Sequence, residues 1–165
     1  MIKKENTPKW YQIEIEDVDI LSGKNLITLV EYLNKSIEIK FIVMDDMDDM
    51  DGNIGEFLFS KEKPLLVDLK TFTKLAKQVA QFDWGYFFLC FNKINAEKIL
   101  SAINSKEPTQ FDYVDIPDTS TTVRIFDNTS FIIYTNRLGV VETIRKQYPT
   151  AEIEQKDIEK LEFYF

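Results

Sequence analysis

The chain has 165 residues, of which 44% are hydrophobic and 13% aromatic, and its net charge is −8. This length and apolar content predict one globular domain, and the aromatic content excludes a disordered linker. The chain contains no histidine and one cysteine. Histidine-dependent catalytic triads, histidine-ligated zinc sites and an internal disulfide framework are therefore excluded.

Other functional classes are also disfavoured. The five glycines are too dispersed to form a phosphate-binding loop, and the acidic balance disfavours direct binding of nucleic acid. No window of eighteen residues is apolar throughout, so we expect no membrane span. Because the N-terminus lacks a secretory signal and there is a single cysteine, we expect a cytoplasmic protein. We expect no cofactor and no catalytic residues.

Residues 1–8 are polar and end at Pro8, which predicts a flexible N-terminus ahead of a single domain over residues 9–165. Alternating apolar residues predict a strand at 10–16. Leu26, Leu29, Val30 and Leu33 at helical spacing predict a helix that begins near Ser22 or Asn25. A second strand is predicted at 37–44.

Four further elements are predicted in the middle of the chain. A short strand is expected at 56–59, and a helix that Asp68 caps is expected to bury Leu69, Phe72, Leu75, Ala76 and Val79. The aromatic run at 84–91 predicts a central strand in which Cys90 is a buried structural thiol. The next helix is predicted to be capped by Asn95 and to end at Asn104.

The C-terminal third predicts an edge strand at 111–116 between two prolines and a hairpin made of 122–126 and 130–135. A fourth helix is predicted to be capped by Asn136, with Leu138, Val141, Ile144 and Tyr148 on one stripe. A last strand is predicted at 161–165. These elements predict an α+β fold, with about four helices packed on a mixed, mostly antiparallel sheet.

The strongest functional clue is the acidic segment, which we define as residues 45–56. It contains no basic residue and six carboxylates: Asp45, Asp46, Asp48, Asp49, Asp51 and Glu56. The other 22 acidic residues nearly balance the 20 basic residues, so most of the net charge lies in this segment. Charge of this density stays solvated unless a cation or a basic surface meets it. Met44, Met47 and Met50 are interleaved with it, and methionine adapts well to irregular binding partners.

Three interpretations of the acidic segment remain open at this point: a solvated loop, a divalent-cation site, and a docking surface for a basic partner. An EF-hand with Gly52 at its sixth position would have Met47 at the first and Leu58 at the twelfth. Two required ligands would then be missing, so only an irregular calcium or magnesium site is compatible with the sequence. Clustered carboxylates also steer association with basic proteins.

Two other features allow more than one interpretation. Trp10, Trp84 and Tyr86 are candidates for interface anchors, although core packing is the expected role of Trp84 and Tyr86. The predicted hairpin at 122–135 would accept a strand from another protein if it lay at a sheet edge, with Arg124, Asn128 and Arg137 as polar contacts.

The sequence therefore predicts a non-catalytic binding protein, an acidic intracellular inhibitor of the immunity type that neutralises a basic partner such as a nuclease toxin. Its predicted partner-binding residues are Asp45, Asp46, Asp48, Asp49, Asp51, Glu56, Met47 and Met50. The alternative is an enzyme or sensor that depends on a divalent cation and uses the same carboxylates as ligands. A structural subunit of a larger assembly is a third possibility.

Overall fold

The computed structural model describes residues 9–16, 22–49, 64–105, 121–127, 129–157 and 160–161. Within these ranges there are seven strands and four helices: β1 Trp10–Ile15, α1 Gly23–Asn34, β2 Phe41–Asp49, β3 Leu65–Asp68, α2 Leu69–Ala76, β4 Phe82–Cys90, α3 Lys93–Asn104, β5 Thr121–Phe126, β6 Ser130–Thr135, α4 Leu138–Gln147 and β7 Glu152–Lys156.

The seven strands form one sheet in the order β3-β2-β4-β5-β6-β1-β7, and every neighbouring pair is antiparallel. With the four helices, this sheet confirms the predicted α+β class. The predicted central strand, β4, lies between β2 and β5. The N-terminus predicted to be flexible, residues 1–8, lies outside the described residues.

The helices divide the sheet into two unlike faces. Helices α1, α2 and α4 pack on one face, which we call the helix-rich face, and their core includes Ile13, Ile42, Phe87 and Ile133. Helix α3 packs on the opposite face, the mixed face, where Ala96 and Ile99 join a second cluster. Because successive strand residues alternate between faces, each central strand supplies both cores.

Several strand boundaries differ from the prediction. Strand β2 spans 41–49 rather than 37–44, so the first part of the acidic segment is a strand and not a loop. Strands β3 and β7 were not predicted. The strands predicted at 56–59 and 111–116 lie outside the described residues, as does most of the one at 161–165. Its first residue, Leu161, packs against the core of the mixed face.

Side-chain caps explain where three of the helices begin. The predicted cap Asp68 is confirmed, since Thr71 N donates a hydrogen bond to it, and of the two predicted start residues of α1 it is Ser22 that caps the helix, by accepting from Asn25 N. Asn92, not Asn95, caps α3: its Oδ1 accepts from Asn95 N at 2.8 Å. The predicted cap Asn136 is also wrong, because α4 begins after Arg137, which makes no side-chain cap. Leu138 was predicted to lie on the apolar stripe of α4, but it is exposed.

Candidate functional site

Strand β2 contains both core residues and the first five residues of the acidic segment. Its first part contributes the buried side chains of Ile42, Val43 and Met44, so Met44 belongs to the core and not to a binding surface. Irregularities interrupt the pairing with β4 between Asp45 and Asp48 and again between Asp48 and Asp49. Such bulges are typical of places where a strand re-aims its side chains.

The predicted partner-binding residues divide into three groups in the structure. The side chain of Asp45 is half-buried. Asp46, Met47, Asp48 and Asp49 have a described backbone in β2, and their side chains lie outside the description. Met50, Asp51 and Glu56 lie outside the described residues altogether. The structure thus places residues 45–49 in the last part of β2 and leaves the contacts of the acidic segment as a prediction.

A row of side chains crosses the mixed face from the acidic segment. Asp45 pairs with Tyr86, Tyr86 with Arg124, and Arg124 with Ile132. Neighbouring strands lie about 4.8 Å apart, so the backbones of Asp45 and Arg124 are about 10 Å apart. One of the chain's own cations therefore lies close to the first residue of the acidic segment.

Arg124 is 2% exposed and is surrounded by aromatic rings. Its guanidinium carbon lies 4.8 Å from the centre of the Phe126 ring and 5.4 Å from that of Tyr86. Its Nη1 donates a long hydrogen bond of 3.5 Å to the hydroxyl of Tyr134. A guanidinium at these distances is attracted by the faces of aromatic rings. Arg124 was predicted to be a polar contact of a hairpin at the sheet edge, and the structure shows instead that it is buried on the mixed face.

Two exposed aromatic side chains lie at the same end of the mixed face. We call Trp84 and Phe126 the aromatic pair: their rings meet edge to face with centroids 5.2 Å apart. Trp84 is 39% exposed and Phe126 is 37% exposed, so the predicted core role of Trp84 is wrong. The same prediction is confirmed for Tyr86, which is buried, and Trp10 is buried as well.

The aromatic pair adjoins the acidic segment directly. Asp48 pairs with Trp84 across β2 and β4, and the register of β4 with β5 places Trp84 opposite Phe126. The sheet thus places Asp48, Trp84 and Phe126 side by side on three neighbouring strands. Exposed aromatic side chains beside charged positions are a common composition of protein-binding surfaces.

The described residues offer no evident metal centre. Among them, no group of three or more cysteine, aspartate or glutamate side chains is placed to hold a metal ion. An EF-hand loop beginning at Met47 is excluded, because that motif requires a helix before the loop and Met47 lies within β2. An irregular cation site that uses residues beyond Asp49 lies outside the described part of the chain.

Cys90 is a buried thiol, as predicted. Burial raises its pKa to about 12, and a hydrogen bond from the backbone of Val43 opposes that rise. Its Sγ lies 3.5 Å from the carbonyl oxygen of Phe88. Because the thiolate is the nucleophilic form, a thiol with this pKa is a poor nucleophile near neutral pH.

The hairpin of β5 and β6 is not at a sheet edge. It lies between β4 and β1, so the hypothesis that it accepts a strand from a partner is wrong. In the described part of the chain the outermost strands are β3 and β7. Arg137 is exposed just after the end of β6, whereas the start of β6 is level with Asp45, and Asn128 lies outside the described residues.

A second group of carboxylates lies on β1 and β7, where Glu14 faces Glu152 and Gln12 faces Glu154. These side chains surround Lys156, whose Nζ lies 3.1 Å from Glu154 Oε2 and donates to Gln12 Oε1 at 3.4 Å. One carboxylate of this group, that of Glu154, is therefore paired with a lysine of the same strand.

Comparison of the chain with protein-family models, with curated proteins and with solved structures found no match. No helix in the described ranges is long and apolar enough to cross a bilayer.

Proposed function

We propose that this chain is a non-catalytic cytoplasmic protein that binds and neutralises a basic protein, such as a nuclease toxin. The observation that carries the proposal is the position of the acidic segment. Its first five residues form the last part of β2, where Asp48 pairs with the exposed Trp84. A nuclease attracts phosphate with clustered Lys and Arg side chains, and a dense set of carboxylates is complementary to such a surface.

The carboxylates and the aromatic side chains contribute differently in this proposal. Long-range attraction by clustered charge raises the association rate by about 10- to 1,000-fold at low salt. Asp45 is half-buried and shares the mixed face with Arg124, whose backbone is about 10 Å away, so we expect Asp45 to contribute least to steering. The expected source of steering is therefore the remaining set of carboxylates: Asp46, Asp48, Asp49, Asp51 and Glu56.

Association kinetics test this proposal. The basic protein that co-purifies with the chain from its native host is isolated, and its binding is measured by stopped flow at several salt concentrations. The variant Asp46→Asn, Asp48→Asn, Asp49→Asn, Asp51→Asn should associate at least about tenfold more slowly at low salt, because four steering charges are removed. The difference should vanish at high salt, where exposed charges are screened.

A matched control neutralises four exposed carboxylates elsewhere: Glu31→Gln, Glu97→Gln, Glu142→Gln and Asp157→Asn. It changes the net charge by the same amount, so a much smaller loss of rate is expected if the position of the charge matters. Equal losses in the two variants would show that only net charge steers the encounter. An unchanged rate in the first variant would remove the acidic segment from the function.

Calorimetric titration with calcium, magnesium and manganese tests the cation-dependent alternative. Saturable binding tighter than about 10⁻⁴ M, within the range of protein calcium sites, would favour that alternative. Loss of this binding in the four-Asn variant would assign the ion to the acidic segment. Light scattering of the isolated chain tests the third possibility, because a structural subunit is expected to self-associate.

A further inference from the structure

We infer that the aromatic pair is the anchor of this interface and that it receives an arginine side chain of the basic partner. The inference rests on the proposed function and names the chemistry of the contact. Trp84 and Phe126 are large apolar side chains that keep more than a third of their surface exposed and that touch each other. Aromatic residues that retain such exposure beside charged positions are frequent hot spots of protein interfaces.

The pair is held in position by the buried mixed face behind it. Phe126 follows Arg124 by two residues on β5, so both side chains lie on the same face, and the Arg124 guanidinium packs 4.8 Å from the Phe126 ring. On the other side of Arg124, the Tyr86 ring is buried and packs nearly parallel to Phe88. An anchor whose rings are fixed before binding loses little conformational entropy when a partner arrives.

The charge around the pair selects the chemical class of ligand. Asp48 pairs with Trp84 across β2 and β4 and Asp49 pairs with Phe82, so two acidic positions lie beside the tryptophan, which favours a cation over an apolar or anionic side chain. Tryptophan provides the strongest cation–π attraction of the aromatic residues. Arginine fits better than lysine, because its guanidinium is planar, weakly hydrated and stacks on rings. The mixed face already holds one arginine in this way, between Tyr86 and Phe126.

Exposed aromatic side chains on a sheet also stack nucleic-acid bases in several folds. Here a positively charged groove, which such folds use to follow the phosphate backbone, is replaced by the acidic strand beside Trp84. The observations therefore favour a basic protein over a single-stranded nucleic acid, and the test below includes both.

The test uses octa-arginine and octa-lysine as probes, with calorimetry in low salt. Octa-arginine is expected to bind roughly two- to fivefold more tightly than octa-lysine, the ratio that an exposed cation–π contact provides. Trp84→Ala should abolish this preference and leave the weaker, charge-driven binding. Phe126→Leu, which keeps an apolar side chain but removes the ring, should also reduce it.

Phe91→Ala is the matched control, because Phe91 follows the opposite end of β4 and is 52% exposed. It should keep the full preference for arginine. A fluorescence titration in a Trp10→Phe background provides a direct readout, since Trp84 is then the only tryptophan in the chain. Octa-arginine should change the Trp84 emission more than octa-lysine does at equal saturation.

The outcomes separate this inference from the proposed function. If both peptides bind equally, Trp84→Ala changes nothing and the four-Asn variant weakens both, the anchor is overturned and the acidic docking surface stands. If neither peptide binds in low salt, the proposed function fails as well. If an eight-nucleotide oligouridylate binds and quenches Trp84, the pair is a base-stacking surface and the inference is overturned.

Discussion

The two faces of the sheet have different compositions and, we argue, different roles. The helix-rich face is covered by three helices, and its strand positions are almost entirely apolar, with Thr121 and Thr135 hydrogen-bonded to each other at 2.8 Å. The mixed face buries Gln12, Thr122, Arg124 and Ser130 among its aromatic residues. An apolar face maximises stability, whereas fixed polar groups and exposed rings provide specific contacts at a cost in stability.

The largest expected effect distinguishes a core ring from an interface ring. Phe87 is fully buried on the helix-rich face and meets Phe72 and Phe82 edge to face, with centroids 6.1 and 5.7 Å away. Phe87→Ala should lower the free energy of unfolding by about 4 kcal/mol, because it removes a large buried side chain and leaves a cavity. Trp84→Ala should cost less, about 1.5 kcal/mol, because its ring is already 39% exposed and loses mainly the contact with Phe126.

Urea unfolding followed by circular dichroism measures both changes. Similar losses in the two variants would contradict the distinction between the faces and would return Trp84 to the core. A small loss for Trp84 together with a lost preference for arginine would instead support separate structural and binding roles for the two rings.

The second prediction concerns the close contact between α1 and α2 on the helix-rich face. Gly23 N donates to Val79 O at 3.0 Å, and a Cβ at Gly23 would lie 1.6 Å from the backbone oxygen of Ala76. Gly23→Ala should therefore destabilise the protein by about 2 kcal/mol, because two backbones must separate.

Gly139→Ala is the matched control for this effect. A Cβ at that position would make an ordinary contact, 3.6 Å from Ser36 Cβ, inside helix α4. It should raise the free energy of unfolding by roughly 0.5 kcal/mol, since alanine is the better helix former. Thermal denaturation of both variants checks the signs, and a stabilising Gly23→Ala would show that α1 and α2 are not in tight contact.

The sequence predicted the elements whose apolar pattern is strong. Alternation in β1, the aromatic run of β4 and the turn residues between β5 and β6 determine their strands, and four apolar stripes determine the helices. Strand β7 was missed because the sequence EIEQK is polar. It is a strand because its backbone pairs with β1 at the edge of the sheet, which no local pattern reveals.

The candidate site was predicted only in part. The charge of the acidic segment is evident in the sequence, but its continuation of β2 is not, because four aspartates oppose β-propensity and pairing with β4 overrides them. Nor does the sequence distinguish Trp84 from Tyr86, since both belong to one apolar run. Their exposure depends on which part of the mixed face the rest of the fold covers, and this is a property of the tertiary structure.

The third prediction tests α3, the helix that packs on the mixed face in the described part of the chain. Asn92→Ala removes the cap of α3 and should cost about 1 kcal/mol, whereas Asn95→Ala should cost much less because only the backbone of Asn95 takes part. Cys90 lies in the same cluster as Ala96 and Ile99 of that helix. Labelling of Cys90 by iodoacetamide should therefore be about fivefold faster in Asn92→Ala, the ratio that 1 kcal/mol provides.

Ser22→Ala is the control for local opening, since it removes the cap of α1 on the other face. If α3 detaches separately from the rest of the fold, Ser22→Ala should leave the labelling rate of Cys90 nearly unchanged at a similar cost in stability. Equal acceleration in both variants would show that Cys90 is exposed only by global unfolding and that the two faces open together.

The smallest expected effect is a pH dependence of stability, which the aspartate cap of α2 should have and the asparagine cap of α3 should lack. Thr71 N donates to Asp68 Oδ1 at 2.6 Å, and this hydrogen bond lowers the pKa of the carboxyl below its ordinary value of 3.8. Because the folded-state pKa is the lower one, the stabilisation is fully present above the unfolded-state value and is lost as the pH falls through the folded-state pKa. Asp68→Asn keeps a cap but carries no charge. Wild type, whose Asp68 carboxylate is ionised at pH 7, should therefore be the more stable protein at that pH. This advantage should shrink as the pH falls from about 5 to below the ordinary pKa of 3.8. Urea unfolding across that range measures it, and the difference between wild type and Asn92→Ala should stay constant because asparagine does not ionise. A wild-type advantage over Asp68→Asn that did not change with pH would show that the carboxylate charge contributes nothing to the cap of α2.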